Sequence, residues 1–384
     1  MDKQEELSFL KQLLAIDSAG GHEDKVTEFL EKTFAAHKIK TERVEVEPGR
    51  HDLIAKIGNG NGPTLAFEGH QDTVALGELD KWEHDPLKGF VDGDKLYGRG
   101  TTDMKAGLAA EVLAFIQLAD AKVELNGTLE FLATVAEETS QQNHMQGAQT
   151  LVKKDLVKDI DAIIIGEPSD SQIDFAHKGS ITYKVSSQGK TAHSSMPQLG
   201  FDAIAPLIHY YNLQKDYYAS IKDVANQYLG KTVPVVTKID GGGQLNAVAD
   251  YAELFAKVRT IPEVTNDEIW KNIKAMIAKV NKEDGAKLSL TVLGDKIPVV
   301  TSPDTPFIKT LHQVAEKDLG KKIAVQGVAF GTDASELVKG NDHFSMAVFG
   351  PGNKTAHAIN EWVSLQTYYG YIKSLKDVAK AYLK

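Results

Sequence analysis

Four short apolar runs in this chain lead into acidic or histidine side chains. They are followed by His70, by Glu137 and Glu138, by Glu167 and, more distantly, by His357. In open α/β sheets, ligand sites lie outside the carboxyl ends of the strands. One sheet could therefore deliver all these side chains to a single crevice, and this pattern constrains the fold more than any other feature of the sequence.

A fifth acidic residue, Asp103, lies in a Gly-rich loop before a predicted helix over residues 106–119 and could join the same crevice. A single Asp or His after a strand is usually a turn or capping residue. Glu137 and Glu138 differ, because adjacent carboxylates leaving a buried strand repel each other unless a cation offsets them. Surface acidic pairs are common, so the conjunction of sites, rather than any one of them, indicates a metal centre.

The composition limits which residue types can bind a metal and which partners the chain can have. The chain contains no cysteine, so disulfides and thiolate ligands are excluded, and only His, Asp and Glu remain to bind a metal. The N-terminus lacks the basic start and apolar middle of a signal peptide, and we expect a cytoplasmic protein. No apolar run is long enough to span a membrane. A net charge of −10 argues against nucleic acid, because phosphate binding requires a basic face.

The length and the hydrophobic pattern predict two domains. A chain of 384 residues exceeds what one core usually serves. Apolar runs alternate with helical patterns at both ends of the chain, whereas the middle shows half-exposed strands and two helices. We predict an α/β catalytic domain of residues 1–179 and 294–384 around a central mixed sheet, with an inserted α+β domain of residues 180–293.

Two local patterns give further predictions. Residues 51–57 and 64–67 have strand patterns, and the Gly- and Asn-rich residues 58–62 between them predict a connecting hairpin turn. Thr265 and Glu268 have the spacing of a capping box and predict the start of a helix.

At these positions the chain resembles peptidase family M20, the metallo-aminoacylases and carboxypeptidases that include succinyl-diaminopimelate desuccinylase and acetylornithine deacetylase. The matching segments are residues 69–74, residues 98–105, Glu137-Glu138, Gly166-Glu167-Pro168 and His357. The resemblance runs over essentially the whole chain. It implies a zinc-aminopeptidase-like catalytic domain with an inserted ferredoxin-like domain that acts as lid and dimerisation domain.

The resemblance also implies a cofactor of two divalent metal ions, with zinc expected and cobalt or manganese able to use the same ligands. It makes Asp103 the carboxylate that bridges the two ions. His70 and Glu167 would complete the site of one ion, and Glu138 and His357 that of the other.

Three more residues have catalytic roles implied by the resemblance. Glu137 would be the general base. Asp72 lies two residues after His70, on the same face of an extended segment, and is expected to accept the second imidazole N–H. His193 matches the lid motif whose histidine stabilises the oxyanion, and in dimeric members this histidine reaches the active site of the other subunit.

Substrate contacts are implied at Arg259, Asn246, Lys178 and Thr332. Arg259 is the first choice for binding the substrate α-carboxylate, with an ordinary surface ion pair as the competing interpretation. Lys178 stands where desuccinylases more often carry Arg, and residues 331–335 are looser than the desuccinylase pattern. These departures put a dicarboxylate substrate in doubt.

We therefore predict a homodimer, paired through the inserted domain, that hydrolyses the amide bond of a small N-acyl amino acid. Desuccinylation of succinyl-diaminopimelate, in lysine biosynthesis, is the leading expectation. Acetylornithine deacetylase, a general aminoacylase, a metallo-dipeptidase and a carbamoyl-amino-acid hydrolase fit the same core. A catalytically inactive binding module is the alternative of a different class, but such proteins typically lose the base or a ligand, and here all are present.

Overall fold

The computed structural model describes residues 1–138 and 145–384, which divide into two compact units. The first unit comprises Met1–Ala176, Val300–Gly327 and Thr332–Lys384, and the second comprises His177–Val299 and Val328–Gly331. The chain passes between the units at 176/177 and 299/300, and again at 327/328 and 331/332. The domain boundaries predicted from the sequence are at 179/180 and 293/294.

The secondary structure confirms the predicted mixture of helices and strands. The α-helices of the described residues are α1 (Lys3–Leu14), α2 (Asp24–Ala36), α3 (Lys105–Asp120), α4 (Gln146–Lys153), α5 (Ile204–Ser220), α6 (Asn266–Glu283), α7 (Pro306–Leu319), α8 (Ala334–Leu337) and α9 (Leu365–Tyr382). The strands are β1 (Thr41–Glu47), β2 (Arg50–Gly58), β3 (Thr64–His70), β4 (Phe90–Asp92), β5 (Lys95–Tyr97), β6 (Thr128–Thr134), β7 (Ala162–Pro168), β8 (Ile173–His177), β9 (Gly179–Gln188), β10 (Ala225–Asn226), β11 (Gly230–Lys231), β12 (Val233–Gly241), β13 (Tyr251–Thr260), β14 (Leu288–Lys296), β15 (Val299–Val300), β16 (Val325–Val328), β17 (Ser345–Gly350) and β18 (Trp362–Ser364).

The first unit is built on a mixed sheet with the order β1-β2-β6-β3-β7-β17-β8-β15, and β16 pairs with β8. The central strands β6, β3, β7 and β17 run parallel to one another, whereas β2 is antiparallel to β6. These central strands are almost entirely buried, as their continuous apolar runs require. Their carboxyl ends therefore lie at one edge of the sheet.

The predicted hairpin between residues 51–57 and 64–67 is wrong. Both strands form, as β2 and β3, but β6 lies between them and pairs with each. Gly58 has φ +115°, and a Cβ there would meet the Gly127 carbonyl oxygen at 2.2 Å. The glycines thus let this turn pack against the turn before β6. A turn motif acts over a few residues, whereas the burial of β6 on both faces decides which strands it joins.

Helix α3 lies behind the central strands and is buried on almost all sides. It is rich in Ala and Leu, and a helix that is hydrophobic all round belongs in a core. A Cβ at Gly107 would meet the Gly166 carbonyl oxygen at 1.9 Å, so the absence of a side chain allows α3 to lie directly against β7. The helix begins two residues after Asp103.

The second unit has the order β-α-β-β-α-β, formed by β9, α5, β12, β13, α6 and β14. Its antiparallel sheet has the order β12-β13-β9-β14, which is the ferredoxin-like arrangement. Thr265 caps α6, since its Oγ1 accepts the Glu268 N–H at 3.2 Å, as the capping box predicts. No described helix of the chain is both long and apolar enough to cross a membrane.

Candidate metal centre

The sheet brings the predicted ligands of the first unit to one edge. His70 is the last residue of β3 and pairs in register with Thr134, the last residue of β6. Glu137 and Glu138 follow β6 by a few residues, and Glu167 lies near the end of the neighbouring strand β7. His357 follows β17 in the chain. The parallel register therefore places His70 and Glu167 at one edge of the sheet, and the segments after β6 and β17 carry Glu137, Glu138 and His357.

Asp103 lies between the two histidines. Its Oδ1 is 3.1 Å from Nε2 of His70, and its Oδ2 is 3.1 Å from Nε2 of His357. Glu138 Oε1 is 2.5 Å from the same Nε2 of His357, and Glu167 Oε1 is 3.5 Å from Nε2 of His70. Each oxygen of one carboxylate thus faces a different histidine and its acidic partner, which is the arrangement of a carboxylate shared by two metal ions.

Among the described residues, possible ligand atoms fall into two overlapping groups, each within 4.8 Å. One contains His70, Asp103 and Glu138, and the other contains His70, Glu137 and Glu167. Glu137 is buried and belongs to the second group although it was predicted to act as a base. It lies where it could accept a proton beside the metal ligands.

The surrounding carboxylates raise the pKa of both imidazoles. Burial lowers the pKa of His70, but the charge of Glu167 and the hydrogen bond to Asp103 outweigh it and raise that pKa well above its ordinary value. Hydrogen bonds to Asp103 and Glu138 raise the pKa of His357 to about 10. Burial favours protonation of Asp103, yet the hydrogen bonds from His357 and His70 hold its pKa below the ordinary range.

The pKa values of the neighbouring carboxylates Glu138 and Glu167 are raised, in contrast to that of Asp103. Burial raises the pKa of Glu138 to about 7, against the hydrogen bond from His357, and the neighbouring Asp103 adds to the increase. Burial likewise raises the pKa of Glu167 well above its ordinary value. Such crowded acidic groups gain from a cation, and nitrogen and oxygen donors at these separations suit zinc and related divalent ions. The residues present therefore fit the implied pair of metals.

The carboxylate of Asp72 does not occupy the predicted position. It lies 3.6 Å from Nδ1 of His70, which is too long for a hydrogen bond, and the Asp72 backbone carbonyl oxygen accepts from Nδ1 at 3.0 Å instead. The carboxylate accepts the backbone N–H groups of Glu137 at 3.2 Å and Glu138 at 2.8 Å. The turn after β6, in which Ala136 has φ +64°, points these N–H groups at Asp72.

Other carboxyl groups behind the site were missed from the sequence. Thr134 Oγ1 lies 2.9 Å from Glu68 and 2.7 Å from Asp333, yet a hydroxyl has only one proton to donate. Burial raises the pKa of Glu68 well above its ordinary value, and the neighbouring charge of Asp333 adds to the increase. Thr332, beside Asp333, is fully buried, and its Oγ1 accepts the Ala334 N–H at 3.3 Å. Its predicted substrate contact stays a prediction.

Glu361 and Arg99 were also missed. Both are buried, and Glu361 accepts hydrogen bonds from Arg99 and from the backbone of the Asp103 loop. One acidic residue in a polar loop carries no pattern that would single it out. The signal appears only when the two segments, 262 positions apart, are brought together.

His193 and Asn246 lie in the second unit, in two loops whose backbones contact each other. His193 forms an isolated bridge with Ala247, and Ser194 donates its N–H to the Asn246 carbonyl oxygen at 2.9 Å. The His193 side chain is exposed, and its Nδ1 lies 2.8 Å from Ser195 Oγ. The two predicted residues therefore share one loop cluster, and their roles stay predictions.

Lys178 and Arg259 form a cationic pair in the second unit. Arg259 pairs with Ser180 across the β9–β13 ladder. Burial lowers the pKa of Lys178, and the charge of Arg259 lowers it further. Lys178 Nζ donates to the Lys231 carbonyl oxygen at 2.5 Å. Within residues 177–299 and 328–331, all of them described, no carboxylate forms an ion pair with Arg259. The substrate contact predicted for Arg259 stays a prediction.

Comparison with protein families gives a match to the model for peptidase family M20/M25/M40 over residues 66–381. A probable succinyl-diaminopimelate desuccinylase of Staphylococcus aureus is 36% identical, covering 100% of this chain and 98% of the relative. A succinyl-diaminopimelate desuccinylase of Wolbachia pipientis is 28% identical, covering 99% of this chain and 94% of the relative.

Solved structures share the fold over the whole chain. An M20 family metallo-carboxypeptidase of Sulfolobus solfataricus is 20% identical with a TM-score of 0.83, covering 100% of this chain and 99% of that one. A dinuclear metal-binding M20 peptidase of Bacillus subtilis is 16% identical with a TM-score of 0.72, covering 99% and 98%.

Proposed function

The chain belongs to peptidase family M20/M25/M40 and is a metal-dependent hydrolase, and from this premise we propose that it cleaves the amide bond of a small N-acyl amino acid. We propose N-succinyl-diaminopimelate as the substrate, because relatives that match over their full length have names that specify this activity. The observation that carries the proposal is Asp103, whose two oxygens face two different histidines at 3.1 Å.

Two divalent ions would be held with Asp103 between them. His70 and Glu167 would complete one set of ligands, and Glu138 and His357 the other. When bound, such ions polarise a carbonyl group and lower the pKa of water, which provides both an electrophile and a nucleophile at neutral pH. Zinc suits the donors, and cobalt and manganese can use the same ligands.

Glu137 would transfer the proton. Its carboxylate lies with His70 and Glu167 inside one 4.8 Å group, so it can accept a proton from the attacking water. The amide nitrogen must be protonated before it leaves as an amine, and the same carboxyl can donate that proton. The Asp72 carboxylate holds the backbone N–H of Glu137 and thereby orients the base.

The acidic groups of the substrate would bind to cations of the second unit. Arg259 lacks a carboxylate partner in that unit, as described above, and Lys178 lies beside it. A guanidinium binds a carboxylate through two parallel hydrogen bonds, which suits the α-carboxylate of an amino acid. Asn246, Thr332 and the His193 imidazole would complete the contacts, with His193 stabilising the oxyanion.

We also propose a homodimer that pairs through the second unit. Strand β12 lies at the edge of its sheet and exposes apolar side chains, with Val233 45%, Val235 50% and Ile239 48% accessible. An exposed apolar edge strand tends to pair with another chain. Cytoplasmic localisation stays a prediction.

The test is hydrolysis of a panel of substrates by metal-free protein, with and without added zinc, cobalt or manganese. The panel contains succinyl-diaminopimelate, acetylornithine, acetylmethionine, carbamoyl amino acids and short peptides. We expect metal-dependent turnover of succinyl-diaminopimelate far above the rest. A preference for acetylated substrates or peptides would support the proposed amide hydrolysis but contradict succinyl-diaminopimelate as the substrate. No turnover by protein that binds two ions would favour a binding module.

A further inference from the structure

Arg99 and Glu361 form an ion pair in the interior of the first unit. Arg99 Nη1 donates to Glu361 Oε2 at 2.7 Å, and the side chains are only 3% and 0% exposed. Burying two charges is costly, and the cost is recovered only where further hydrogen bonds satisfy the remaining polar atoms. What else these side chains bind therefore indicates what the pair does.

The second oxygen of Glu361 holds the loop that carries Asp103. Oε1 accepts the backbone N–H of Thr102 at 2.7 Å and that of Asp103 at 3.0 Å. The backbone of Asp103 is thus hydrogen-bonded to Glu361, while its carboxylate faces the two histidines. A shift of Glu361 would move the backbone from which this carboxylate extends.

Arg99 holds the loop that carries His357. The Nη1 that binds Glu361 also donates to the Ala358 carbonyl oxygen, at 3.1 Å. His357 itself has φ +64°, a backbone conformation that costs a non-glycine residue free energy and persists where its surroundings hold it. Thr102 Oγ1 donates to the Trp362 carbonyl oxygen at 2.8 Å and ties the same two loops a second time.

We propose that Arg99 and Glu361 are positioning residues that set the separation of Asp103 from His357, and hence the affinity for the metal ion these two share with Glu138. The inference rests on the proposed function, because it presupposes two bound ions. His70 and Glu167 lie on β3 and β7, where the sheet positions them. The other ion depends on two loops, which the buried pair joins.

The test is cobalt binding to metal-free Glu361→Gln, followed by calorimetry and by visible absorption of the bound ions. The amide presents an N–H₂ donor either to Arg99 or to the two backbone donors, so either the Arg99 contact or both backbone contacts are lost. We expect the ion shared by Asp103, His357 and Glu138 to bind about 10- to 100-fold more weakly. The ion held by His70 and Glu167 should weaken much less, although it also uses Asp103, and activity should return in excess cobalt. Glu130→Gln is the control: Glu130 is buried on β6 and pairs with Lys56 at 3.1 Å, away from the site.

Arg99→Lys is the second variant, since lysine keeps the charge but lacks the planar guanidinium that joins two acceptors. It should show a smaller loss at the same ion, and it carries the test if Glu361→Gln does not fold. Wild-type binding of both ions in a folded variant would overturn the inference alone. Failure of both variants to fold, with the control folded, would make the pair purely structural and overturn it too. A wild-type protein unable to bind two ions would instead refute the proposed function.

Discussion

The nearest acceptor for Nδ1 of His70 is the backbone carbonyl oxygen of Asp72 at 3.0 Å, and the carboxylate of the same residue is 3.6 Å away. The Asp72 carboxylate is therefore available for another purpose, and it binds the N–H groups of Glu137 and Glu138. Asp72 thus contacts the proposed ligand His70 through its main chain, and it contacts the proposed base Glu137 and its neighbour Glu138 through its side chain.

This division predicts the effect of Asp72→Asn. The backbone contact to His70 remains, whereas the amide can accept from only one of the two N–H groups and presents a donor to the other. We expect kcat to fall by about 10- to 100-fold, with weaker binding of the ion held by Glu138 and unchanged binding at His70. Cobalt titration with steady-state kinetics measures this. Weaker binding at the His70 ion would mean that the carboxylate acts on the imidazole after all.

Glu137→Gln should separate catalysis from metal binding. The amide cannot accept a proton from water, and positioned general bases contribute a factor on the order of 10² to 10⁴. We expect kcat/KM to fall by that factor while two ions remain bound, because Asp103, His70, Glu138, Glu167 and His357 are unchanged. Metal content by elemental analysis is the control. Hydrolysis that survives the substitution nearly unaltered would refute the assigned base.

The elements that carry the site could be predicted because their signals are local. The apolar runs of β3, β6 and β7 must be buried, and polar residues at their ends must lie at an edge of the sheet. Strand order could not be predicted in the same way. Residues 58–62 have a turn composition, but whether their strands pair depends on β6, which lies much later in the chain.

The supporting contacts of the site could not be predicted for a related reason. Ala136 and His357 both have left-handed backbone conformations, at φ +64°, although neither is glycine. The role proposed for Glu361 depends on its ion pair with Arg99, which lies 262 positions away in the sequence. Such features depend on tertiary contacts that overrule local preference, and they concentrate where the structure must hold functional groups in place.

Val235→Lys should disrupt the proposed dimer. A lysine on the exposed edge strand β12 brings a charge that must be desolvated when a second chain pairs there. We expect the wild-type protein to sediment with twice the mass of one chain and the variant to sediment as a monomer. Val292→Lys is the matched control, since Val292 is 51% exposed on the opposite edge strand, β14. A monomeric wild type, or a dimer indifferent to the β12 change, would contradict the interface.

Asp174→Asn should stabilise the protein at neutral pH. Burial raises the pKa of Asp174 to about 6, although the Gln326 amide donates to Oδ1 at 3.0 Å and opposes the shift. Because the folded pKa exceeds the ordinary value of 3.8, folding favours the protonated acid. The contribution of Asp174 to stability is thus fully present below about pH 4 and is lost as pH rises through 6.

The rise of the Asp174 pKa from 3.8 to about 6 corresponds to at most about 3 kcal/mol. At pH 7 the ionised side chain lowers the free energy of unfolding by up to this amount. Asparagine keeps an acceptor for Gln326 and has no charge to bury. Thermal unfolding at pH 4 and pH 7.5 should therefore show a gain only at the higher pH. Asp342→Asn removes the same charge from the surface and should change neither value. Equal gains at both pH values would show that the effect does not come from ionisation of Asp174.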